Sequence, residues 1–121
     1  MKKKITRKLD FSQRMRDAIK ERDRGCIFCQ MNYHLEECTE TYQRSNFQIM
    51  HYIPRSRMGL GIDRNGAIGC IFHHMMYDNG NKGRRAEMQE LFREYLKSCY
   101  PDWNEEDLVY KKYGTEGFKC L

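Results

Sequence analysis

Phe11, Met15, Ala18 and Ile19 recur at helical spacing behind Asp10 and Gln13, which together resemble a capping box, so residues 11–23 read as an amphipathic helix that Gly25 ends. From Cys26 to Asn46 the polar and aromatic residues follow no clear period, the pattern of a loop held by something other than a core. Phe47-Gln48-Ile49-Met50-His51-Tyr52-Ile53 is rich in strand formers and stops at Pro54, which cannot donate to a sheet ladder. Alternation along this strand turns Met50 away from His51 and toward a core. A polar, glycine-rich loop from Arg55 to Gly66 leads to a second short strand over 67–71, and the two strands make a hairpin. His73 to Tyr77 reads as helix until Asp78-Asn79-Gly80-Asn81 breaks it. Met88, Leu91, Phe92, Tyr95, Leu96 and Cys99 then mark the apolar face of a longer helix ending at Pro101, with Cys99 expected in the core. Asn104-Glu105-Glu106-Asp107 opens a last short helix through Tyr110. The predicted fold class is α+β.

Composition narrows the setting. A chain of 121 residues suits one domain and one site. Hydrophobic residues make up 40%, charged residues 32%, and mean hydropathy is -0.90; no charge-free segment reaches 15 residues, which excludes a membrane-spanning helix. The basic start runs into a charged amphipathic stretch instead of an apolar signal core, which argues against secretion. Six cysteines in a reducing cytoplasm are more readily metal ligands than structural disulfides.

The net charge of +5 is unevenly distributed. Residues 1–20 hold Lys2, Lys3, Lys4, Arg7, Lys8, Arg14, Arg16 and Lys20 against Asp10 and Asp17, a surplus of +6, whereas residues 21–80 sum to -1 and 81–121 to zero. A basic arm over residues 1–9 suits a nucleic-acid backbone, whose condensed counterions it releases; a solvated terminus has the same composition.

Cys26 and Cys29 form a CxxC, and Cys70 and His73 a CxxH farther along the chain. Two residues between ligands let the chain turn so that both side chains converge on one tetrahedral ion, and zinc is the natural candidate. Such a site contributes folding energy, which a polar chain with a modest core needs. The competing readings are buried small hydrophobes or a redox dithiol, and His34 or Cys38 replacing one of the four. Cys120 is expected to take no part.

His51 opens the run His51-Tyr52-Ile53-Pro54-Arg55-Ser56-Arg57, Asn65 follows fourteen residues after it, and His74 nine further on. With the flanking cysteine pairs, residues 26–78 resemble the HNH endonucleases of phage and bacterial type, the ββα-metal nucleases. The resemblance implies a small ββα-metal core with a zinc knuckle at 26–80, a C-terminal helical region at 83–121, and one nuclease domain over 1–121. It implies that His51 is the general base, Asn65 braces the loop, and His74 binds a catalytic divalent ion, Mg2+ or Mn2+. Because adjacent helical residues point about 100° apart, His73 can face zinc while His74 faces the hairpin; the alternatives make both ligands of one site, or leave one on the surface.

Met50 departs from the family pattern, where an Asp or His commonly precedes the base and ligates the ion. A thioether suits a hard cation poorly. Asp78, one helical turn after His74, can share the ion, as paired ligands do in colicin-type members, or simply begin a turn. Arg55, Arg57 and Arg64 are candidates for gripping phosphates. The expected function is metal-dependent hydrolysis of DNA in a bacterial or phage-infected cytoplasm, with no membrane partner. The competing functions are a catalytically silent, zinc-stabilised nucleic-acid-binding module and a cysteine redox protein, the latter requiring a parallel αβ pattern that the sequence lacks.

Overall fold

The computed structural model describes residues 8–38, 45–79 and 83–111. Helix α1 spans Gln13–Asp23 and is started by Ser12, whose hydroxyl accepts from the Met15 amide at 3.2 Å. Ser12 takes the capping place assigned from sequence to Asp10. Arg24 closes the helix at φ 64°, sending its own N–H to Lys20 O, so the left-handed cap falls one residue before Gly25. The stretch expected to be a loop contains one helical turn, α2 at Ile27–Gln30, and a 3-10 turn at Leu35–Glu37.

Strands β1 (Phe47–His51) and β2 (Gly66–Cys70) pair antiparallel, from Phe47 opposite Cys70 to His51 opposite Gly66. The first strand ends two residues before the expected Ile53 because Asn65 intercepts the chain there. Its carbonyl accepts from Tyr52 N at 2.9 Å, and its side-chain oxygen accepts from Ile53 N at 2.8 Å. The Asn65 amide nitrogen returns bonds to Ile53 O and Leu60 O. Gly59 packs against this knot so tightly that a Cβ would lie 1.7 Å from Ile53 O. The loop also joins the C-terminal segment, through Leu60 N to Leu108 O and Tyr110 N to Met58 O.

Helix α3 (Ile71–Asn79) follows β2 directly, and α4 (Arg85–Cys99) packs beside it before a 3-10 turn at Glu105–Leu108. The hairpin separates two apolar clusters. On one side Phe11 and Ile19 meet Ile68, with Met15 and Ile49 at the margin. On the other, Met50 is fully buried with Phe28, Tyr52, Tyr77, Met88, Phe92 and Leu96, as strand alternation requires. The rings of Phe28, Tyr52 and Tyr77 surround Phe92 at centroid distances of 6.3, 5.4 and 5.6 Å. Cys99 is only half-buried, one turn beyond the Met88-Phe92-Leu96 line, so the core ends before it.

A charged pair ties the layers. Asp23, 3% exposed, accepts from Arg22 on both oxygens, from Tyr95 OH and from Ile68 N. Arg22 also donates to Asp63 O, Gly66 O and Tyr100 OH. The architecture is α+β with a two-stranded antiparallel sheet, and no described helix is long and apolar enough to cross a membrane. Lys2, Lys3, Lys4 and Arg7 of the basic arm, and Cys120, lie outside the described residues.

Candidate metal centre and hairpin histidines

Cys26 starts α2 and its sulfur accepts from Cys29 N at 3.3 Å; Cys70 ends β2 and its sulfur accepts from His73 N at 3.5 Å. Each half-site is thus a tight turn folded around its first cysteine. The two turns face one another. His73 Nδ1 lies 3.4, 3.5 and 3.3 Å from the sulfurs of Cys26, Cys29 and Cys70, and the Cys29 and Cys70 sulfurs are 3.7 Å apart. A tetrahedral zinc with bonds of ~2.3 Å to sulfur and ~2.0–2.1 Å to nitrogen requires edges of roughly 3.6 and 3.8 Å, so the donor set fits the ion.

The outer nitrogen of His73 fixes the ring. Nε2 lies 2.6 Å from Tyr33 O, and because a carbonyl only accepts, Nε2 carries the proton and Nδ1 points its lone pair at the thiols. The Cys26 thiol is lowered below its ordinary range by its hydrogen bond with Cys70. The same bond, with burial, pushes Cys70 up to about 12. A thiophilic cation would take the place of the protons these two thiols share. Cys38 is half-buried and outside the group; His34 instead meets Glu36 and Glu37 at 3.6 and 3.4 Å. The paired-knuckle expectation therefore describes the cluster, and its substitutes do not.

His51 ends β1 on the opposite face from Met50. It is half-buried against Phe11, ring centroids 4.4 Å apart, and its Nε2 donates to Leu9 O at 2.8 Å, leaving Nδ1 as the basic atom. Burial holds its pKa below the ordinary histidine value; Arg55 and His74 lower it further, while the Leu9 bond and Asp10 oppose them.

No protein-family profile, curated protein or solved structure matches the chain. The site has to be read from its own chemistry.

His74 is turned away from the cysteine cluster. Its Nδ1 bonds Gln48 Oε1, and its Nε2 lies 3.0 Å from Asp78 Oδ2. When Nδ1 donates to Gln48, Nε2 and the carboxylate are two acceptors facing one another, an arrangement completed by a proton or a cation. Adjacent ligands on an octahedral ion with bonds of ~2.0–2.1 Å lie roughly 2.9 Å apart, so this pair suits one edge of such a site. Among the described residues no third His, Cys, Asp or Glu joins them in a close ligand group.

The three arginines are not gathered in one place. Arg55 pairs with Asp10 at 2.7 Å beside His51, Arg57 is exposed on the same 3-10 turn, and Arg64 pairs with Asp102 at 2.9 Å while lying over the Tyr100 ring. Three contributors escaped the sequence reading. The carbonyls of Leu9 and Tyr33 leave no trace in residue type, because any residue has one. Gln48 had a signal, since alternation puts it on the Met50 side of β1, facing the helix that follows β2.

Proposed function

We propose that the chain is a metal-dependent phosphodiesterase of HNH type that cuts DNA, with His51 as general base. The observation that carries this reading is the division of labour between neighbours: His73 belongs to the Cys3His cluster, while His74, the next residue, is turned out of it and faces Asp78. One helix start thereby links a structural centre to a hydrolytic one.

In this mechanism His51 Nδ1 takes the proton of the attacking water, which its low proton affinity permits near neutral pH. The Leu9 carbonyl holds the ring and its tautomer. Asn65 keeps the His51 end of the hairpin in place through its three bonds to Ile53 and Leu60. His74 and Asp78 would hold a divalent ion, which when bound supplies Lewis-acid stabilisation of the scissile phosphate and its leaving oxygen. Arg55 can exchange Asp10 for a phosphate at small cost, because an exposed ion pair is worth only about 0–1 kcal/mol.

A second reading is a silent zinc-stabilised nucleic-acid-binding module, favoured by Met50, whose thioether is buried against Gly69 and suits a hard cation poorly. Two protein ligands are nonetheless ordinary for Mg2+, which keeps waters and takes substrate phosphate for the rest. Nicking of supercoiled plasmid separates the readings. Nicking should require added Mg2+ or Mn2+, and His51→Ala should slow it by about 10²–10⁴-fold. No ion-dependent nicking, or equal cleavage by the variant, would sink the hydrolytic reading.

A further inference from the structure

Arg16, Lys20 and Arg24 stand four residues apart along α1 and its cap, so the three cations share one face, all exposed. Like charges at this spacing destabilise an isolated helix, and none of the three has an acidic partner among the described residues. Arg16 gives only Nε to Phe11 O. Across from them β1 presents Phe47, Gln48 and Ile49. With Ile68, these residues enclose a groove of about 290 Å³ that has no acidic residue in its lining. Phe47 is 53% exposed, although every other aromatic ring of the hairpin is covered. Ile49 stands two residues before His51 on the same face of β1, so the groove runs along the face that carries His51.

We propose that this groove binds a single strand of a polynucleotide, with Arg16, Lys20 and Arg24 on its phosphates and the Phe47 ring stacked on an unpaired base. Three cations about 6 Å apart along a helix can follow an extended sugar-phosphate chain, whose repeat is six covalent bonds long. An exposed aromatic beside such a row is the platform by which single strands are held without regard to sequence. In a duplex the base faces are covered by their neighbours and the ring would have nothing to stack on. The choice of polynucleotide over another polyanion rests on the hydrolytic reading of His51, on the same face of the strand.

The test is fluorescence anisotropy of the full chain, zinc retained and Mg2+ omitted, with labelled single-stranded DNA, single-stranded RNA and the matched DNA duplex, and with polyglutamate as competitor. Single strands should bind more tightly than duplex, and the DNA and RNA arms decide which backbone is preferred. Replacing Arg16, Lys20 and Arg24 together by Ala should flatten the plot of log affinity against log salt by about 2, from ~0.7 per phosphate contact. Phe47→Ala should weaken single-strand binding by roughly 5- to 100-fold, and Phe47→Leu, which keeps apolar bulk without a ring, should do the same. Because all four positions are exposed, circular dichroism should find these variants folded.

Wild-type affinity in the folded variants, tighter binding of duplex, or equal competition by polyglutamate would overturn the groove. If the wild type nicks plasmid while the variants bind normally, the groove fails and hydrolysis stands. Loss of single-strand binding in the variants, in a protein that never nicks, upholds the groove and removes the nuclease.

Discussion

His51 shows how a single side chain is tuned by what covers it. Burial under Phe11 and Leu9 makes its protonated form costly, and Arg55 and His74 add positive potential, so the folded protein binds this proton more weakly than the unfolded chain does. The sign follows from linkage: above the ordinary histidine value of about 6.5 both states are neutral there and stability is unaffected. Below it the unfolded chain takes up the proton first, and stability falls until the pH passes the lowered folded value. In urea titrations, the stability difference between wild type and His51→Ala should be constant above pH ~6.5 and shrink on acidification. The acid limb of the nicking rate should likewise lie below that value. A limb at or above it would contradict a buried neutral base. The residue itself was visible in the sequence through its spacing to Asn65 and His74, but its tuning was not, because it depends on Leu9 and Phe11, which arrive from a segment some forty residues away.

At the scale of elements, periodicity was a good guide where one face is buried and a poor one where polar groups are. Helix α4 and the hairpin follow from Met88, Phe92 and Leu96 and from the alternation at Met50. The end of β1 did not follow, because Asn65 replaces a ladder bond with a side-chain bond. Nor did the joint between α1, the hairpin and α4. An Arg22-Asp23 pair at a helix C-terminus reads as solvated charge, yet here it is buried and multiply bonded. Burial opposes the charge on Arg22, and the hydrogen bond and charge of Asp23 outweigh it, holding the guanidinium above its ordinary range. Asp23→Ala should therefore cost about 3–5 kcal/mol in urea denaturation, since it strands a buried cation and leaves the Ile68 amide unbonded. A loss below about 1 kcal/mol would mean that the joint is fluid and wet.

For the molecule as a whole, the sequence legibly paired Cys26-Cys29 with Cys70-His73, because CxxC and CxxH spacings are set by the ion's geometry. That the cluster links the α1–α2 side of the chain to the β2–α3 junction could only be seen in the fold. A structural zinc contributes an apparent ~10–16 kcal/mol, as much as the whole ~5–15 kcal/mol stability of a typical domain. Chelation, or Cys26→Ser, should unfold the protein, read as loss of helical circular dichroism; a metal-free, fully folded chain would exclude the structural centre. Two adjacent histidines with separate duties join this centre to the proposed chemistry. The most direct measurement is zinc content and Mg2+- or Mn2+-dependent plasmid nicking on the same preparation of His74→Ala. One zinc per chain with nicking reduced by at least about 100-fold is the expected result. Wild-type nicking, or loss of zinc together with the activity, would contradict it.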